Sequence, residues 1–133
     1  MNTLHAVITN IVHQESLCYL ESEAASISLG ILLFDLKPCF RVGSRVKVLF
    51  KETEVAIAKG LAGEVSFSNR FPAIVTGIKS GNMLADITLQ SAAGELASII
   101  TMKAVAKLGL KTNDEVTVLI KASQLSLDGG VDD

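Results

Sequence analysis

The chain has 133 residues, 49% of them hydrophobic and 20% charged, with 12 basic against 14 acidic side chains and a formal charge of −2. That length holds one ordinary domain or two very small ones, and the apolar content excludes a disordered tail. Five Phe, one Tyr and no Trp leave few rings for stacking on bases, and each half carries six basic to seven acidic residues, so an oligonucleotide-binding module is disfavoured.

The most apolar run, Ala24–Phe34, is well short of the roughly 20 residues a bilayer requires. Met1–Gln14 has neither a basic leading region nor a compact apolar stretch, so it does not read as a signal peptide. The expectation is a soluble, cytoplasmic protein, with Cys18 and Cys39 as free thiols rather than a disulfide.

In chain order the dominant signal is an internal repeat. Asn2–Ile11 aligns with Asn69–Ile78 at an offset of 67, and Arg45–Lys51 aligns with Glu115–Lys121 at an offset of 70. A three-residue gap near Glu23–Ala25 reconciles the two. The chain therefore reads as two units, 1–59 and 64–129, joined near Lys59–Gly63.

Within each unit the hydrophobic period is two. Leu4, Ala6 and Ile8 alternate with polar or small residues, as do Val46, Val48 and Phe50. Phe71, Ala73 and Val75, and later Val116, Val118 and Ile120, repeat the pattern. Alternation of this kind puts one apolar face inward on antiparallel strands. Ser80-Gly81-Asn82 predicts a hairpin between strands Phe71–Lys79 and Leu84–Leu89, and Ala92-Ala93-Gly94 predicts the next. Thr101 predicts an N-cap for a helix over Met102–Leu108, stopped by Gly109. In the first unit Pro38 falls where that helix would lie. About five short strands and one short helix make a small barrel. Because ~60 residues bury only a marginal core, the units are expected to pack on each other or on neighbouring chains, as an oligomer.

No catalytic constellation stands out, so the chain reads as a non-enzyme. His5 and His13, on one strand and expected on the same face about 26 Å apart, have no metal-ligand partners in spacing. Neither Leu61-Ala-Gly63 nor Asp128-Gly-Gly130 forms a phosphate loop. Two segments point instead to a compact oxyanion. Ser66-Phe-Ser-Asn-Arg70 leads into a strand, and Lys121-Ala-Ser123 ends one, mirrored by Lys51-Glu-Thr53. Hydroxyls, an amide, a guanidinium and ammonium groups beside strand-end N–H groups suit such an anion, and solvated strand-end lysines with turn-capping serines are the plainer alternative.

The second unit resembles the Mop domain, the molybdate-binding unit of the TOBE superfamily. The resemblance runs through Ser66–Asn69, Phe71, Ala73, Val75, Ala85–Leu89, Ile99–Thr101, Ala104–Leu110 and Glu115–Ser123. The first unit is similar from Asn2 to about Ile57, so the chain resembles tandem, di-Mop proteins. The resemblance implies a mainly all-β fold of two OB-like five-stranded barrels, with a short helix in at least the second. It implies trimers holding molybdate or tungstate at subunit interfaces through hydroxyls, backbone amides and a lysine. By position it assigns Ser66, Lys121, Ala122 and Ser123 in the second unit, and Lys51 and Thr53 in the first. Ser68, Asn69 and Arg70 complete the candidate set.

The departures are specific. Ser68 stands where the family carries arginine, and Arg70 lies two residues on, about 6.6 Å along the same strand face. Ala6 and Ala73 replace an early glycine, and Glu52 sets a carboxylate between Lys51 and Thr53. Fewer or weaker sites than in a standard member are expected, and whether the first unit retains a working site stays open. The leading reading is oxyanion storage or homeostasis. The competing one is a regulatory or assembly module that has lost the anion and acts through protein partners.

Overall fold

Period-two patterning becomes sheet in both halves. A computed structural model describes residues 1–128, so residue 129, which ends the second repeat, lies outside the described residues, as do Gly129 and Gly130 of the glycine pair noted above. The first half contains β1 (Asn2–Gln14), β2 (Leu17–Ala24), β3 (Ile27–Phe34), β4 (Arg45–Phe50) and β5 (Ala56–Ala58). The second contains β6 (Asn69–Ser80), β7 (Leu84–Ser91), β8 (Gly94–Thr101), α1 (Met102–Leu108), β9 (Glu115–Ile120) and β10 (Ser126–Asp128). Single 3-10 turns, Glu52–Glu54 and Ala122–Gln124, precede β5 and β10. All twelve residues of the four alternating triplets are buried, which is the inward face the period demanded.

The strands form two curled antiparallel five-stranded sheets, OB-like in form, but each sheet takes its outermost strand from the other half. The orders are β10-β4-β1-β2-β3 and β5-β9-β6-β7-β8. Ala56–Ala58 pairs with Leu119–Thr117, and Ser126–Asp128 pairs with Leu49–Lys47. The exchange answers the small-core problem. Rather than two marginal barrels, the chain builds one hydrophobic core from residues of both halves, from Leu4 and Val48 to Val118 and Leu125.

The repeat extends to fine detail. Each long first strand carries a bulge, at Thr9 and at Thr76, 67 residues apart. Their hydroxyls donate across the ladder to the carbonyls of Glu21 (3.1 Å) and Thr88 (3.2 Å). Hairpins pair Ala24 with Ile27 and Ser91 with Gly94, again 67 apart. The offset of 67 therefore holds through the second hairpin of both units, and the three-residue gap does not lie near Glu23–Ala25. It lies further on, where α1 occupies Met102–Leu108 and the first unit has an irregular loop. Phe40, 70 residues before Leu110, is buried as Leu110 is.

The helix is built as its sequence dictated. Thr101 Oγ1 accepts from the Ala104 amide at 3.0 Å, and Gly109 closes the end at φ +60°, a left-handed conformation that glycine adopts at no steric cost. The bulge at Thr9 also separates the two histidines. It shifts strand parity, so His13 stands opposite buried Cys18 whereas His5 stands opposite Lys47 on the outer face. The expectation of a shared face fails for that reason. Cys18 is buried and Cys39 exposed, both as free thiols. Lys59, in the joining segment, donates to the Gly109 carbonyl and to Asp114 Oδ2, each at 2.9 Å, fixing the chain where it enters the second half.

Candidate functional site

Strand exchange decides where the two Lys-x-Ser/Thr segments lie. The chain leaves the first sheet at Phe50, makes the Glu52–Glu54 turn and enters the second sheet at Ala56. It leaves the second sheet at Ile120, makes the Ala122–Gln124 turn and enters the first at Ser126. Both segments are therefore crossovers between the sheets. Each lysine is still extended, with φ −79° at Lys51 and −72° at Lys121, and its carbonyl accepts from the amide three residues on at 3.0 Å. Each turn packs on the third strand of the other half, Glu52–Glu54 on β8 and Ala122–Gln124 on β3. Val55 and Leu125, which follow the turns, are buried anchors, and the buried Ser98 hydroxyl donates to the Val55 carbonyl at 2.7 Å.

The two crossovers differ in charge. Lys121 and Ser123 are exposed around half-buried Ala122, with no carboxylate in the turn. In the first, Lys51 and Thr53 are exposed around Glu52, whose Oε2 accepts from the Met1 amine at 2.5 Å. Hydrogen bonds from that amine and from the backbone hold the Glu52 carboxyl below its ordinary range. Glu54 adds a second carboxylate, accepting from the Lys51 amide at 3.4 Å.

The lead-in residues divide. Ser66 and Ser68 are exposed. Asn69, the first residue of β6, pairs with Ile120, the last of β9, so Ser68 and Lys121 each adjoin an end of that ladder. Arg70 is exposed, its Nη1 donating to the Gly63 carbonyl at 2.9 Å. Ser68 and Arg70 share a cleft of about 440 Å³ with Ser26 and Ser28 of the β2–β3 hairpin. Lys51 and Ser123, from opposite crossovers, share another of about 200 Å³ with Glu54 and Met1. A further cleft, of about 380 Å³, opens beside His5, Arg45 and Lys47, and none of the candidate residues lines it.

Asn69 is not available to an external anion. It is fully buried, and both Nδ2 hydrogens are committed, to the Gly30 carbonyl at 3.0 Å and the Ile120 carbonyl at 3.1 Å. Its Oδ1 accepts from the Gly30 amide at 2.7 Å. Asn2, 67 residues earlier, clasps Ala97 in the same way, accepting from its amide and donating to its carbonyl at 2.8 Å each. Since Gly30 and Ala97 are themselves 67 apart, these are two pseudo-symmetric clamps between the halves. Sequence reasoning took Asn69 for a ligand because an amide in a polar lead-in suits an anion. The signal for a clamp was its recurrence at the matching position of both repeats. Among the described residues no cluster of three or more His, Cys, Asp or Glu could hold a metal ion, and no helix is long and apolar enough to cross a membrane.

Two pseudo-symmetric OB-like halves that exchange strands and carry Lys-x-Ser/Thr crossovers define a class, and comparison with known proteins agrees. The TOBE domain family model matches residues 66–127. Molybdenum-pterin-binding protein 1 of Clostridium pasteurianum is 33% identical over 64 residues, 47% of this chain and 94% of that protein. The chain belongs to the TOBE superfamily. Within it, the tandem repeat makes it a di-Mop member. The solved structure of the cytoplasmic molybdate-binding protein ModG has the same fold, with a TM-score of 0.89 at 24% identity, covering 98% of this chain and 95% of that one. The molybdenum import ATP-binding protein ModC of Brucella abortus (strain 2308) is 31% identical over 100 residues, 74% of this chain. The chain spans only 28% of the length of that relative.

Proposed function

We propose that this chain binds molybdate or tungstate as an intact oxyanion and serves its storage or homeostasis in the cytoplasm. The observation that carries the reading is the second crossover, where Lys121 and Ser123 are exposed on a turn that itself holds no carboxylate. In this reading a tetrahedral dianion receives the Lys121 ammonium, the Ser123 hydroxyl and crossover amides, with Ser66 and Ser68 of the lead-in as further donors. Charge-assisted bonds of this kind contribute about 1.5–3 kcal/mol each, enough for micromolar affinity after ordering costs. The names of its relatives support the ligand class, since the Clostridium and Brucella proteins are named for molybdenum and ModG for molybdate.

Both crossovers lie on the surface of the chain, which fits a site completed by a neighbouring copy in a homo-oligomer, a trimer by family resemblance. The two repeats, 1–59 and 64–129, are then unequal binding units. Glu52, paired with the Met1 amine, and Glu54 set carboxylates beside Lys51 and Thr53, whereas the second turn holds none, so the second unit carries the binding. Titration calorimetry with molybdate, with the oligomer mass taken on the same sample, tests this. Uptake that Lys121→Ala weakens is expected; uptake indifferent to that substitution refutes the site.

Glu52, together with Ser68 in place of the family's arginine, favours one second reading, an assembly module that works through protein partners. A melting point that millimolar molybdate leaves unmoved selects it, because a ligand of the native state must raise that temperature.

A further inference from the structure

We infer that Asn69 is a positioning residue for the second-unit anion site, fixing the start of the Lys121 crossover by tying Ile120 to Gly30 of the first half. This rests on the anion-binding reading above and extends it, since no residue of the first half then needs to touch the anion in order to govern it.

Three observations carry it. Asn69 makes one bond more than its counterpart. Among the described residues the Asn2 side chain bonds the amide and carbonyl of Ala97, whereas that of Asn69 bonds those of Gly30 and also the carbonyl of Ile120, one residue before Lys121. The third bond joins three strands, β3, β6 and β9, at the point where β9 ends and the crossover begins. Gly30, moreover, is held from its other side. A Cβ there would lie 2.0 Å from the Tyr19 hydroxyl, so the Tyr19 ring covers the residue that Asn69 grips, while Ala97 in the other clamp carries a side chain. Finally, the Ala122–Gln124 turn packs on β3, the strand that contains Gly30, so clamp and turn bear on the same strand. A buried amide with both hydrogens committed holds its partners in a single arrangement, and the exposed Lys121 inherits its direction from Ile120.

The test compares matched clamps. Molybdate is titrated by calorimetry into the full chain, into Asn69→Ala and into Asn2→Ala, and all three are melted. Both variants lose a buried clamp and are expected to melt lower. Only Asn69→Ala is expected to weaken molybdate binding, by about tenfold or more, as loss of a residue that orients ligand groups does elsewhere, with Asn2→Ala within about twofold. Equal weakening in both variants, or unchanged affinity in Asn69→Ala, overturns the proposal while leaving anion binding intact. Absence of uptake by the unaltered chain overturns the reading and the proposal together. Should Asn69→Ala fail to fold, hydrogen exchange on the unaltered chain decides. Saturating molybdate is expected to slow the Gly30 amide, which donates to Asn69, more than the Ala97 amide, which donates to Asn2; an equal response at both overturns the assignment.

Discussion

Replacing Lys121 with alanine separates the two crossovers most sharply. The substitution removes one ammonium from a turn without carboxylates, and a charge-assisted bond to a dianion contributes about 1.5–3 kcal/mol. At 1.4 kcal/mol per decade, that corresponds to about 10- to 150-fold in Kd. Lys121 is exposed, so solvent and salt screen it, and the lower end, about tenfold at 0.1 M salt, is the expected loss. The equivalent Lys51→Ala is expected to change affinity by no more than about twofold, because Glu52 and Glu54 already surround that lysine with negative charge. Titration calorimetry of the two variants beside the unaltered chain, at two ionic strengths, reads both values. The Lys121→Ala deficit should shrink as salt rises. Equal losses in the two variants, or none in Lys121→Ala, would refute the assignment of binding to the second crossover.

Other consequences concern the fold that holds the site. Leu125 is buried just beyond the second crossover, so Leu125→Ala is expected to cost about 2–5 kcal/mol and to lower the melting temperature by roughly 10 °C. Because the halves share one core, scanning calorimetry should still show a single transition; two separate ones would contradict strand exchange. Gly30→Ala drives a methyl group into the Tyr19 ring and is expected to cost about 1–3 kcal/mol, with Tyr19→Ala in the same chain recovering part of it in a thermal melt. The Lys59 ammonium and the Lys111 amide hold the Asp114 carboxyl below its ordinary value of 3.8, so this pair stabilises above that value and its contribution disappears as pH falls through the lowered one. Melting curves of the unaltered chain and Lys59→Met should therefore differ by a constant gap well above pH 3.8 that narrows in acid to what the bond to the Gly109 carbonyl supplies; a gap unchanged in acid would rule out the carboxylate as a source.

The strands of the four alternating triplets were readable because each presents three buried positions two residues apart, on β1 and β6 before the bulges at Thr9 and Thr76. Leu4, Ala6 and Ile8 cannot slip by one residue without turning the core outward, so local pattern and global fold agree. The helix was readable from Thr101 and Gly109, which act within a turn of themselves. Strand exchange was not, because Ala56–Ala58 and Ser126–Asp128 are too short to record which sheet they join. Which partner they take follows from the direction of the crossover turns, and that is a property of packing. The same blindness explains the misplaced gap. Three extra residues in an irregular loop leave no periodic trace, and the hairpin at Ala24–Ile27, next to which the gap was expected, matches Ser91–Gly94.

The candidate site was half legible for a related reason. Lys121, Ser123 and Lys51 advertise themselves as polar residues ending apolar strands, and all three are exposed on the crossovers. Asn69 carries the same polar signature, yet its side chain is turned inward to the other half of the chain, where sequence spacing has no reach. The charge contrast between Glu52 and Ala122 was visible from the start. What the fold added is the Met1 amine that pairs with Glu52 and lowers its carboxyl pKa further.

Calorimetric titration of the purified chain with molybdate, against sulfate under identical conditions, tests the central claim most directly. Saturable heat with molybdate and none with sulfate, at no more than one anion per chain and weakened in Lys121→Ala, is the result expected of a single working crossover. Equal heats for the two anions, or none for either, would contradict it.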